Sequence, residues 1–167
     1  MVGARIGADG ARGHVVEYAG SAVRGLTMEG RLTLCNMAIE LGAKFGQVAP
    51  DDTTLEYVVD RPFAPKGAVW DAAVADWKTL VSDEDAAFDT EVSINASVVV
   101  PQVSWGTSPE HTVGIDGVVP DPAQAATEEA RTAMQEALQY VDLQPGTPME
   151  GIRIDRVFIG SCTNSRI

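Results

Sequence analysis

The chain has 167 residues, 45 % hydrophobic and 22 % charged, a composition typical of a soluble globular protein with one core or two small ones. Its 12 Lys and Arg residues against 24 Asp and Glu residues give a formal net charge of -12, which would repel a phosphate backbone, so no nucleic-acid partner is expected. No apolar run approaches the roughly 20 residues that span a bilayer, and the N-terminus lacks the apolar segment of a signal peptide. We therefore expect no membrane partner and a cytoplasmic location.

The first half of the chain alternates between strand and helix patterns. Thr27 is a suitable N-cap for a helix that Gly42 would end, and Asp51 and Asp52 are suited to open the next helix. The predicted elements are a strand at 14–19, a helix at 28–41, a strand at 45–49, a helix from Asp51 and a helix at 68–80.

The second half of the chain predicts a different set of elements. Residues 88–95 alternate strictly between apolar or Thr and polar side chains, which predicts a half-buried strand. Residues 101–120 are dense in Pro, Gly and Ser and predict a long connection, which is usually functional or interdomain. Asp121 as cap and Pro122 as first helical residue predict a helix to about Val141, and residues 153–159 predict a short strand that leads into Cys162.

The helix predicted at 28–41 is apolar on most of its circumference and should be largely buried. Its polar side chains, Glu29, Thr33, Asn36 and Glu40, fall at a spacing that stacks them into one narrow stripe. The stripe either faces solvent or lines a cleft. In the second case Asn36 and Glu40, one turn apart, would grip one polar ligand together.

Cys162 follows the last predicted strand in a Gly-Ser-Cys-Thr-Asn-Ser turn. Free backbone N–H groups at such a strand-to-helix turn stabilise anions and lower the pKa of a thiol, so Cys162 is a candidate thiolate. The alternative is a structural thiol beside Ser, Thr and Asn residues that cap a helix. Cys35 and Cys162 lie far apart in the chain and indicate no disulfide framework.

Two segments resemble motifs of the aconitase family. Residues 27–40 (TMEGRLTLCNMAIE) are similar to a segment of its isopropylmalate isomerase branch, and residues 159–166 (IGSCTNSR) resemble the cluster motif of the whole family. Strings at 48–54, 64–67 and 101–107 are similar to the isopropylmalate branch in the same order. The resemblance covers essentially the whole chain.

The resemblance implies a 4Fe–4S cluster held by three cysteines, of which Cys162 would be the first. It implies that Asn36 and Glu40 lie at the cluster, with Glu40 near the substrate hydroxyl as an acid–base group, and that Thr163, Asn164 and Ser165 belong to the cluster surroundings. The expected reaction is the interconversion of 2-isopropylmalate and 3-isopropylmalate through isopropylmaleate, a step of leucine biosynthesis. The implied substrate is a small dicarboxylic hydroxy acid, and the implied partner is a small subunit that supplies the catalytic base.

The resemblance further implies an α/β fold, the three-layer α/β/α arrangement of the aconitase iron–sulfur domains, here incomplete. Residues 1–98 would complete one domain, and residues 99–167 would open the next. The family's Cys-x-x-Cys pair is missing from the sequence, so we expect an internal fragment that is inactive alone, holds no stable cluster and exposes apolar surface able to form a non-native homo-oligomer. A stoichiometric brown chromophore after anaerobic reconstitution with iron and sulfide would contradict this expectation.

Two alternatives stay open from the sequence. One is a close relative such as a homoaconitase or a citraconate-type isomerase, because the groups that select the substrate's side chain are not identified in the chain. The other is a cluster-free module that binds small acids or serves as a scaffold.

Overall fold

A computed structural model gives the fold and describes residues 1–160, so the motif around Cys162 lies outside the described residues. Within that range no helix is long and apolar enough to cross a membrane. The helices are α1 (Val2–Ile6), α2 (Ser21–Arg24), α3 (Met28–Met37), α4 (Asp52–Val58), α5 (Ala68–Trp77) and α6 (Glu128–Val141), with 3₁₀ turns at Ala38–Leu41, Ala96–Val98 and Pro122–Gln124. The strands are β1 (Val15–Glu17), β2 (Phe45–Gln47), β3 (Gln102–Ser104) and β4 (Thr112–Gly114).

The described residues divide into two compact units. The β1–β2 unit contains residues 14–39 and 43–91, and the β3–β4 unit contains residues 1–13, 40–42 and 92–160. Each unit has one two-stranded sheet among the described residues, parallel in the first and antiparallel in the second. The mixture of helices and strands confirms the predicted α/β class. The larger three-layer arrangement and the domain boundary near residue 98 stay predictions.

The β1–β2 unit brings α3 against its small sheet. Val15 pairs with Phe45 and Glu17 with Gln47, so the two predicted strands are confirmed but are only three residues long. A Cβ at Gly46 would lie 2.8 Å from the Cβ of Ala38 and 3.0 Å from the Cα of Cys35. Because any larger residue at position 46 would collide with the helix, glycine allows β2 to approach α3 closely.

The β3–β4 unit has the apolar core, which contains Trp105, Val119, Leu138 and Met149. The indole of Trp105 is 4 % exposed and stacks on the imidazole of His111, with ring centroids 4.4 Å apart. This core lies in and after the segment predicted as a long connection. The prediction for 101–120 is therefore incomplete, because Gln102 pairs with Gly114 in a hairpin that closes over the core.

The prediction of a strand at 88–95 is wrong. These residues form no strand in the structure, and Phe88 and Val92, on the side predicted to be dry, are 50 % and 41 % exposed. A segment with alternating side chains forms a strand only where a neighbouring strand pairs with its backbone. None of the described strands pairs with residues 88–95.

Two further predicted elements differ from the structure. Asp121 accepts a hydrogen bond from the Ala123 N–H and Pro122 follows it as predicted, but they open only a short 3₁₀ turn. The long helix α6 begins later, where the Thr127 side chain accepts from the Ala130 N–H at 3.1 Å. The strand predicted at 153–159 is also not formed, and Phe158 is 93 % exposed.

Candidate functional site

The predicted polar stripe on α3 is interrupted at its C-terminal end. α3 ends at Met37 and continues as the 3₁₀ turn Ala38–Leu41, so the spacing from Asn36 to Glu40 is not that of one α-helix. Glu29 and Thr33 are half-buried, and the Thr33 hydroxyl donates to the Glu29 carbonyl at 2.8 Å. Asn36 and Glu40 are both exposed.

The expectation that this helix is largely buried is wrong at the same end. Met37 and Ile39 are 49 % and 65 % exposed, whereas Ala38 and Leu41, at the two ends of the 3₁₀ turn, are buried. Ile39 and Glu40 reach solvent, although the first and last residues of the turn are buried. A carboxylate presented in this way is available to a ligand. The roles of Asn36 and Glu40 at a cluster stay predictions.

Among the described residues of the β1–β2 unit, the buried polar side chain is that of Arg31, in the middle of α3. Its side chain is 2 % exposed, and its guanidinium makes a two-pronged contact with the Asp51 carboxylate at 2.5 and 2.8 Å. It also donates to the backbone carbonyls of Leu26 at 3.2 Å and Arg24 at 2.8 Å. Such bidentate, charge-assisted contacts have a planar geometry that only arginine provides.

Asp51 links this contact to the next helix. Its Oδ1 also accepts from the Thr54 N–H at 3.3 Å as the N-cap of α4. The Arg31 hydrogen bonds hold the pKa of the Asp51 carboxyl below its usual value, against a smaller opposing effect of burial. We refer to these contacts among Arg31, Asp51 and the two carbonyls as the Arg31 clamp. It fixes α3, the helix that carries Asn36, against the start of α4.

Sequence reasoning predicted the Asp51 cap but missed the clamp. The sequence analysis assigns no role to Arg31, although arginine is seldom fully buried unless it is paired. The available signal was that Arg31 stands apart from the polar stripe, on the apolar side of its helix, and that Asp51 opens a later helix.

Cys35 belongs to α3 and lies close to β2, since a Cβ at Gly46 would be 3.0 Å from the Cys35 Cα. It is half-buried, and burial raises the pKa of its thiol. Burial, with a smaller contribution from Cys35, also raises the pKa of Tyr18. Burial thus favours the neutral thiol of Cys35.

The predicted cluster residues Cys162, Thr163, Asn164 and Ser165 lie outside the described residues. Within residues 1–160, no group of three His, Cys, Asp or Glu side chains is arranged to hold a metal ion. The described donors therefore do not fit an iron–sulfur cluster by themselves. The expected proximity of Cys162 to Asn36 and Glu40 stays a prediction.

A comparison with protein families gives the class of the chain. The model of the aconitase family (aconitate hydratase) matches residues 1–167, which is the whole sequence. The chain belongs to the aconitase family.

A curated relative gives a finer comparison. The chain is 56 % identical over 162 residues to 3-isopropylmalate dehydratase large subunit 1 of Bradyrhizobium diazoefficiens. The match covers 97 % of this chain and 34 % of the relative, so the chain spans about a third of that protein's length. The family resemblance noted in the sequence is thereby confirmed, including its isopropylmalate branch.

Proposed function

We propose that this chain contributes to the large subunit of a 3-isopropylmalate dehydratase. The reaction is the interconversion of 2-isopropylmalate and 3-isopropylmalate by dehydration and rehydration through isopropylmaleate, in leucine biosynthesis. The observation that carries the proposal is the 56 % identity to a protein of that name across nearly the whole chain. Because that relative is named a large subunit, we further propose a small subunit as the partner that completes the active site.

A 4Fe–4S cluster belongs to this proposal as the cofactor of the assembled enzyme. Cys162 would be one of three thiolate ligands, and the remaining two are proposed to come from outside the 167 residues, since Cys35 is the only other cysteine here. When bound, such a cluster supplies Lewis-acid chemistry at an iron with an open position. Thr163, Asn164 and Ser165 would surround it and orient its ligands.

Glu40 and Asn36 are the residues of this chain proposed to act on the substrate. Glu40 reaches solvent from a turn with buried ends, so its carboxylate could hold or donate the proton of a substrate hydroxyl without moving the backbone. Asn36 stands at the end of a helix held by the Arg31 clamp, and its amide would help to position the cofactor or substrate.

The test uses the complete gene product assembled with its small subunit and reconstituted with iron and sulfide. We expect turnover of 3-isopropylmalate, and we expect Glu40→Gln to lower kcat about 10²- to 10⁴-fold because a positioned proton donor is removed. The matched control is Glu56→Gln, an exposed glutamate on α4, which should leave kcat unchanged. The absorbance of the cluster should be the same in all three proteins.

Two results would contradict different parts of the proposal. Preference of the wild-type enzyme for homocitrate-type or citraconate-type substrates would assign the chain to another branch of the family. Full activity of the Glu40→Gln enzyme would remove the proposed role of Glu40 while leaving the substrate assignment intact.

A further inference from the structure

An open groove of about 380 Å³ runs between the β3–β4 hairpin and α6, within the β3–β4 unit. One side is formed by the segment that leads to β4, which contributes Glu110 and His111. The other side is formed by α6, with Ala133, Glu136, Ala137 and Tyr140. Thr107, the last residue of the string at 101–107, lines the groove, but none of the proposed catalytic or cluster residues does.

His111 offers a hydrogen-bond donor to this groove. The residue is 6 % exposed, and its Nδ1 accepts from the backbone N–H groups of Thr107 at 3.2 Å and Ser108 at 3.3 Å. An imidazole nitrogen that accepts two hydrogen bonds carries no proton, so in the neutral ring the hydrogen is on Nε2. Burial lowers the pKa of His111 and favours this neutral form, against a smaller opposing effect of Glu110.

The Nε2 atom of His111 has no hydrogen-bond partner among the described residues. Across the same residues, no side-chain nitrogen or oxygen that is enclosed from solvent lacks a partner. Nε2 is therefore reached by solvent, and His111 is one of the residues that line the groove. A side chain more than nine-tenths buried thus has one donor without a partner among the described residues, and it lines a surface groove.

The charges around the groove are negative. Glu110 and Glu136 are exposed, and Glu110 is held in place because its Oε2 accepts from the Ala8 N–H at 3.3 Å. No Lys or Arg lines the groove in the part of the chain that the structure describes. Tyr140 lines it with an aromatic ring that is 82 % exposed. Two carboxylates beside an exposed ring form the surroundings that a planar guanidinium prefers.

We infer that this groove docks an arginine side chain from a partner polypeptide. The guanidinium would contact the carboxylates of Glu110 and Glu136 and lie against the Tyr140 ring, and the His111 Nε2–H would donate to a main-chain carbonyl of the partner. The net charge of -12 favours approach of a basic segment and disfavours nucleic acid or an anionic membrane. The inference does not depend on the proposed enzymatic activity.

The test is a titration of the ¹⁵N-labelled 167-residue chain, followed by amide chemical shifts. The probe is N-acetyl-L-arginine methylamide, and its matched control is N-acetyl-L-citrulline methylamide, which has nearly the same shape and no charge. We expect the arginine probe to shift the amides of Thr107, Ser108, residues 110–112, Ala133 and Ala137, and the citrulline probe to leave them in place.

Variants locate the binding on the groove. Glu136→Gln and Tyr140→Ala should each weaken the apparent affinity for the arginine probe by about threefold, the size expected for one exposed cation–π or charge contact. Glu150→Gln, an exposed glutamate outside the groove, should leave the affinity unchanged. Unchanged spectral dispersion shows that each variant is folded.

Three outcomes would overturn the inference. The first is an equal response to citrulline, and the second is an equal loss of affinity in Glu150→Gln, which would show attraction to an acidic surface in general. The third is a shift of the groove amides with protein concentration in the absence of probe, which would assign the groove to a second copy of the chain.

Discussion

The two units are held together in different ways. In the β3–β4 unit, Trp105, Val119, Leu138 and Met149 pack into an apolar core. In the β1–β2 unit, the buried residues among those described are Arg31 and two alanines, Ala38 and Ala43, so the largest buried side chain is a charged one. Arg31 and Val119 are the largest fully buried side chains of the described residues, one from each unit.

The difference concerns how each unit specifies its packing. Apolar burial is non-directional and roughly proportional to area, so the β3–β4 core tolerates volume-conserving exchanges. The Arg31 clamp depends on direction, since every guanidinium contact must be made for the buried charge to be tolerated. The β1–β2 unit should therefore be the less tolerant of a conservative substitution at its centre.

The largest expected effect is in the apolar core. Trp105→Ala should lower the free energy of unfolding of the β3–β4 unit by about 3–5 kcal/mol, because it removes buried area and leaves a cavity next to His111. Native-state hydrogen exchange at the Leu138 amide would measure this loss. Phe63→Ala, at an aromatic residue 99 % exposed, is the control and should change stability by less than about 0.5 kcal/mol. A similar loss in both variants would contradict the assignment of the core.

The next effect is in the Arg31 clamp. Arg31→Met should lower the free energy of unfolding of the β1–β2 unit by about 2–4 kcal/mol, because Asp51 and two carbonyls lose their donors while Asp51 keeps partial access to water. Arg31→Lys should recover only part of this loss, since an ammonium cannot make the bidentate contact. Urea unfolding followed at the amides of α3 and α4 gives the measurement.

The matched control for the clamp is Arg12→Met. Arg12 pairs with Asp9 at 3.0 Å but is 76 % exposed, and such surface pairs contribute little. If Arg12→Met destabilised the protein as much as Arg31→Met, the clamp would have no special role.

The smallest expected effect is a difference between the two units in how their stability depends on pH. His111 has a folded-state pKa below its usual 6.5, so the unfolded chain binds a proton first, and the β3–β4 unit loses stability as the pH falls below about 6.5. The pKa of Asp51 is lowered from 3.8, so its contribution is present above that value and is lost only as the pH falls further, through its folded-state pKa. Between pH 6.5 and 5, we expect the protection of β3–β4 amides to decrease while that of α3 amides stays constant.

A variant links the acid response to one side chain. His111→Gln should abolish the difference between the units over that range, because no group titrates at position 111. His14→Gln, at a histidine with a side chain 55 % exposed, should preserve it. Loss of protection in α3 first would reverse the predicted order.

Local signals predicted the fold well where they act within a few residues. Thr27, Asp51 and Gly42 stand where the caps and the stop were expected, with Gly42 at a positive φ of 78°. The pairings between distant residues were not predicted, because periodicity describes which side chains share a face and not which element covers it. The β3–β4 hairpin was therefore missed, and the segments at 88–95 and 153–159 were assigned ladders that they do not form.

The same distinction between local signals and contacts between distant residues applies to the candidate site. The exposure of Asn36 and Glu40 agrees with one of the two alternatives drawn from the polar stripe, that it faces solvent, whereas their presence at a cluster depends on a family resemblance and on residues beyond the described range. The change from α-helix to 3₁₀ turn at Ala38 has no local signal, since the sequence continues without Gly or Pro to Leu41.

The double use of the Asp51 carboxylate has an evolutionary consequence. Asparagine at this position would keep the cap of α4 but leave the buried guanidinium without a counter-charge, and alanine would remove both contacts at once. Positions 31 and 51 are thus expected to vary together across descendants of this sequence, because an exchange at one alters the cost of an exchange at the other.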